Sequence, residues 1–238
     1  RHLTKPRDRA ATARRGNPAP CLPDPGTCGI PIPMIARLTL LVTLLILPVL
    51  AAAQEFVTVP RRLSDEAFYR LVACAAPPGG PCAKPEIRWS EERRVSLSVG
   101  IAMIDAGFPT YKLDLVDDAI DRAIAQINAS GAYLVLERIY EGTPDIALYL
   151  LDTPQGGIIS GTGNAELDGS ELAIGRVAIR SLGGDIQDAT IAISRDIQRR
   201  EVASVVLEEL VQALGLPTDI QSPAYPDSIF NENSNAVV

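Results

Sequence analysis

The sequence predicts an α+β fold: a mixed sheet with a backing helix and a long central helix toward its C-terminal end. Three observations carry that expectation. Apolar residues recur at helical spacing over residues 115–127 and again over 202–216. Short apolar runs at 95–99, 133–139, 145–151, 176–180 and 189–194 have the length and periodicity of strands. Their order is strand, helix, strand, strand, loop, hairpin and long helix, that of a mixed sheet with two main helices.

Composition first separates the chain into unequal parts. Residues 1–33 carry six Lys/Arg against two Asp and are rich in Pro and Gly. They read as a disordered upstream extension outside the native protein, or else as a disordered basic tail. From Met34 the pattern changes. Arg37 precedes a thirteen-residue apolar run over 38–50, and Ala51-Ala52-Ala53 forms a small-residue cleavage site before Gln54. Residues 34–53 thus read as a signal peptide, because the run is too short to span a bilayer. The expected location is exported, periplasmic or secreted, with no stable membrane span after cleavage.

The whole chain holds 22 Lys/Arg and 29 Asp/Glu; residues 54–238 keep 15 and 27 of them, a net of −12. Such a domain is repelled by nucleic acid and by anionic lipid, so neither is an expected partner. Export permits disulfides. Cys74 and Cys82 enclose A-A-P-P-G-G-P, a spacing that suits a looped disulfide and makes a poor zinc site without histidines. Residues 54–90 are therefore expected to form an N-terminal helix and disulfide loop, with the main domain over 91–238.

Ser64 is placed as the N-cap of a short helix, with Asp65 and Glu66 in its first turn. Val95, Leu97 and Val99 alternate with polar residues, the pattern of a half-buried strand. Asp114 is the expected cap of the helix over 115–127, and Gly131 its stop. The run over 145–151 is almost continuously apolar, which puts it in the middle of the sheet. The Gly-rich stretch between Asp152 and Gly169 lacks the strand-to-helix setting of a phosphate loop and reads as a mobile surface loop. Gly183-Gly184 turns a hairpin, and Ser194 is the expected cap of the long helix.

That helix is V-A-S-V-V-L-E-E-L-V-Q-A-L-G-L over residues 202–216, stopped by Gly215 and Pro217. On a helical projection Glu209 falls within the apolar side, between Val202 and Val205, while Glu208 and Gln212 stack four apart on a narrow polar edge. An inward carboxylate is costly unless it has a partner or a task. The chain's one histidine is His2, which removes the usual metal ligand and neutral-pH base from the rest.

The residues E-E-L-V-Q-A-L-G-L-P-T-D, with S-I-F at 228–230, resemble an uncharacterised bacterial family of exported proteins whose E-E-x-x-Q-A-L-G-L-P-x-D helix stands where zincin metalloproteases of metzincin type carry H-E-x-x-H-x-x-G-x-x-H or D. The resemblance covers roughly residues 89–231 and implies a zincin-like mixed sheet with a former active-site helix. It puts Glu208 in the first histidine's place, Glu209 in that of the general base, Gln212 in the second histidine's, and Thr218 in the third ligand's, with Asp219 adjacent. Zinc in an open site wants neutral imidazole donors, and this oxygen set cannot supply them. No metal and no cofactor are therefore expected. The expected function is a catalytically silent module that binds peptide or protein in a cleft beside the central helix through Glu208, Gln212, Thr218 and Asp219. The alternative is an active hydrolase or peptidase with Glu209 as general base and either a non-histidine metal or no metal, and a third reading has the helix merely completing a core.

Overall fold

The structure is a computed structural model that describes residues 56–231. The expected upstream extension at 1–33 and the signal peptide at 34–53 lie outside the described residues. Within them the fold is α+β. In chain order the elements are β1 (Phe56–Thr58), α1 (Asp65–Cys74), β2 (Leu97–Ile104), α2 (Leu113–Ala129), β3 (Leu136–Arg138), β4 (Ile146–Leu151), β5 (Gly157–Ile158), β6 (Glu171–Leu172), β7 (Gly175–Leu182), β8 (Asp185–Ser194), α3 (Val202–Ala213) and β9 (Asp219–Gln221).

The main sheet has the order β3-β2-β4-β8-β7. Strands β2, β3, β4 and β8 run parallel, and β7 closes one edge as the antiparallel arm of the hairpin. The all-apolar β4 is the middle strand, as its composition predicts. Its side chains alternate between two cores. Ile146, Leu148 and Leu150 face α2 and α3, whereas Tyr149 and Leu151 face the opposite side. The helices supply Val116, Ile120, Ile124, Val206 and Leu210 to the larger core.

Four local expectations are revised. Helix α2 starts at Leu113 and Asp114 sits inside its first turn without capping it; a 3₁₀ turn at Thr110–Lys112 leads in instead, with the Leu113 N–H bonded to the Thr110 carbonyl. Ser194 does not cap α3, which begins at Val202; it ends β8, donating to the Thr153 carbonyl (2.9 Å) and accepting from the Asp196 N–H (3.1 Å). Val95 and Tyr133 lie outside the strands, and Tyr133 is 89% exposed. The Gly-rich stretch is not a loose surface loop. Ile159, Leu167 and Leu172 are buried beneath it against Leu151 and Ala192, and Asp168 Oδ1 accepts the Thr162 N–H (3.0 Å) and hydroxyl (2.8 Å). Aliphatic residues spaced through a Gly-rich segment carry no regular period, yet they cover the second face of the sheet.

A third cluster joins the two ends of the described chain. β1 pairs in parallel with β9, and Val59, Leu71, Val72, Ile220 and Phe230 bury together, with Phe68 against the Tyr225 and Phe230 rings. Trp89 Nε1 donates to the carbonyl of Ala213 at the end of α3 (3.0 Å). Gly215 has φ +106, and a Cβ there would lie 2.5 Å from the Ile87 carbonyl oxygen, so the turn after α3 admits only glycine.

Candidate functional site

Helix α3 lies on the larger-core face of the sheet, and its surroundings differ around its circumference. Val202, Val206, Leu210 and Ala213 pack into that core. Val205, Glu208, Glu209 and Gln212 form an arc about 100° wide at 3.6 residues per turn, and all four line a cavity of about 590 Å³. The opposite wall is the first half of β7, with Gly175, Arg176, Val177 and Ile179. Pro217, Asp219 and Asn231 close one end, and Lys84 and Ile87 approach from the N-terminal segment.

Glu209 sits deepest. It is 6% exposed, and its Oε2 has no hydrogen-bond partner among the described residues. Its other oxygen presses against the backbone of β7: a Cβ on Gly175 would come within 2.2 Å of Oε1, so any side chain there would displace the Glu209 carboxyl. Burial, the negative charges of Glu208 and Asp219, and too little relief from Arg176 hold the Glu209 carboxyl well above the usual carboxylate range. At neutral pH its protonated form is favoured relative to an exposed glutamate, which lets the group donate a hydrogen bond as well as accept one.

The residues singled out in the sequence fall into three groups. Glu208, Glu209, Gln212 and Asp219 come together in the cavity, and Gln212 Nε2 donates to Asp219 Oδ1 (2.9 Å), tying helix to tail. Thr218 stands apart from them. It is fully buried, its N–H bonds the Val72 carbonyl (3.1 Å), its hydroxyl finds no partner among the described residues, and it does not line the cavity. Cys74 and Cys82 form a disulfide after α1. The Cys74 carbonyl accepts the N–H groups of Ala83 and Lys84 (both 3.0 Å), which sets the Lys84 side chain at the cavity.

Sequence reasoning missed the β7 wall, including Arg176 and Gly175. The one available signal was a lone glycine heading the G-R-V-A-I-R strand, which marks a bulge or a close backbone approach.

The donor set does not fit zinc. Thr218 lies outside the cavity, the cavity holds no imidazole, and among the described residues no trio of carboxylates in the cavity brings its oxygens within 4.8 Å of one another. A second hollow of about 400 Å³ lies beside β2 and β3, but its charges are matched: Arg138 pairs with Asp117 and Asp121 and lies 4.8 Å from the centre of the Tyr140 ring.

No curated protein matches this chain. Residues 163–238, which hold β6, the β7–β8 hairpin, α3, β9 and most of the cavity wall, match a family model described as "Protein of unknown function (DUF2927)".

Proposed function

We propose that this domain binds an extended peptide or protein segment in the cleft between β7 and α3, and that it does so outside the cytoplasm as a catalytically silent, zincin-like module. The observation that carries the reading is the position of the cavity beneath the last strand of the sheet. Among the described residues β7 pairs with β8 on one side only, and a sheet edge offers its backbone groups to an added strand. Side chains of that strand would alternate into the hollow, which supplies selectivity where the backbone supplies affinity. The export leader in the sequence and the Cys74–Cys82 disulfide favour an oxidising compartment. The donor chemistry supports silence: without imidazole ligands the cavity is not built to hold the zinc that acidifies water in zincins, and Glu209 by itself is a weak hydrolytic centre.

One observation favours a second reading. A carboxyl that burial makes hold its proton more tightly than usual suits proton transfer, so Glu209 could serve as a general acid or base in a hydrolase. Both readings meet in one experiment. Isotope-labelled protein is titrated with a pool of capped, extended hexapeptides while amide shifts are followed and new N-termini are assayed. Saturable shifts confined to Gly175, Val177, Ile179 and the 205–212 turn, with intact peptide, support binding. Cleavage lost in Glu209→Gln supports the hydrolase, and shifts elsewhere or nowhere overturn both.

A further inference from the structure

We infer that the cavity takes a basic side chain of the bound segment, an arginine or a lysine, seated with its cationic head over Glu209 and its methylenes along the wall. This rests on the peptide reading above and names the residue it selects. Glu209 Oε2 is more than nine-tenths buried with its residue, lines the hollow, and has no donor among the described residues. A buried carboxyl left in that state is costly, and the missing component is a hydrogen-bond donor. Glu208 and Asp219 line the same cavity, so an incoming anion is repelled and an incoming cation is favoured.

The rest of the lining agrees. Ile87, Ile174, Val177, Ile179, Val205 and Pro217 present aliphatic surface of the kind that covers the stem of a long charged side chain. The carboxylates are too widely set to close around an atom-sized ion, since no three of them bring oxygens within 4.8 Å. A guanidinium with five donors, or an ammonium with three, can address separated acceptors at once. Lys84 and Arg176 also line the cavity and balance Glu208 and Asp219 in charge, so Glu209 decides the sum: a basic side chain seated over it favours its ionised form and cancels the one negative charge that then appears. The −12 charge of residues 54–238 draws basic partners to the domain as a whole.

The test uses one capped, extended hexapeptide with arginine, glutamine, norleucine or glutamate at its central position, together with arginine amide as a probe of the head group alone. Arginine is expected to bind at least tenfold more tightly than glutamine, with glutamate the weakest. Glu209→Gln should abolish that preference, bringing the arginine and norleucine peptides to within twofold of each other. Glu208→Gln, at a partly exposed position, should reduce the preference several-fold. Equal affinity for arginine and norleucine, or a preference that survives Glu209→Gln, overturns the inference and leaves peptide binding standing. Shifts at Glu209 with arginine amide but no binding by any hexapeptide would overturn the peptide reading and keep the cation site. No response to either probe overturns both.

Discussion

Two carboxylates in this domain are removed from water to different degrees and treated in opposite ways. Asp145, at the start of β4, is surrounded by donors. Its Oδ2 accepts the Ser98 N–H (2.9 Å) and hydroxyl (2.7 Å), and its Oδ1 pairs with Arg93, which also reaches the Gln187 carbonyl and stacks 4.8 Å from the Trp89 ring. Burial alone would raise its pKa, but the Ser98 and Arg93 bonds outweigh it and hold the carboxyl below the usual range. Glu209 lies deeper and has no such set among the described residues: one oxygen against Gly175, the other without a donor there, and two carboxylates nearby. A carboxylate that ties β2, β4 and β8 together is saturated with bonds. One left short of bonds in a cavity costs stability, and that cost is the ground for the binding role proposed above.

That contrast can be broken from either side. Asp145→Ala removes three acceptor contacts and leaves Arg93 and the Ser98 N–H short of partners, so unfolding should become easier by about 3 kcal/mol, read from the urea midpoint. An effect below about 1 kcal/mol would mean that water replaces the carboxylate and that the corner is not structural. Next in size, Gly175→Ala forces a Cβ to within 2.2 Å of Glu209 Oε1 and 2.8 Å of its Cγ, which should cost about 2 kcal/mol. Glu209→Ala in the same chain should return most of that loss. The two changes would then be strongly non-additive, whereas Asp145→Ala and Gly175→Ala should simply add. Independent losses at 175 and 209 would show that the close approach is not what constrains that glycine.

How far the sequence revealed this arrangement depended on the range of the interaction. The α3 stripe with Glu209 inside it, the central β4 and the Gly183-Gly184 hairpin are written in local periodicity, and each is where the pattern puts it. Ser194 misled because an isolated serine before a helical run satisfies the capping pattern; the intervening residues 195–201 instead make a turn that buries Ile197. The pairing of Phe56–Thr58 with Asp219–Gln221 joins three-residue segments far apart in the chain, and neither is long enough to show a period. The cavity was half legible. One helix face announces Glu208, Glu209 and Gln212, but the β7 wall is a tertiary neighbour whose only local trace is Gly175.

The finest discrimination between the two carboxylates is the sign of their pH dependence. For Glu209 the folded state holds its proton more tightly than the unfolded chain does, whose value is near 4.5. Its contribution to stability is therefore fully present below that pH and is lost as pH rises toward the folded value. Asp145 behaves in reverse: its contribution is present above the unfolded value of 3.8 and disappears as pH falls through the lower folded one. Each proton tilts the stability curve by at most about 1.4 kcal/mol per pH unit within its window. Subtracting the unfolding free energy of Glu209→Gln from that of the parent, between pH 4 and 8, should give a falling line. The same subtraction with Asp145→Asn should be flat there and drop only in acid. Glu208, Asp219, Arg176 and Lys84 all line the Glu209 cavity, and Arg176→Gln removes a charge that favours ionisation of Glu209, so the fall should continue to higher pH in that variant without exceeding the one-proton slope. A flat line for Glu209 would mean that its carboxylate has a donor in solution, and the cavity would then lose its claim to a ligand.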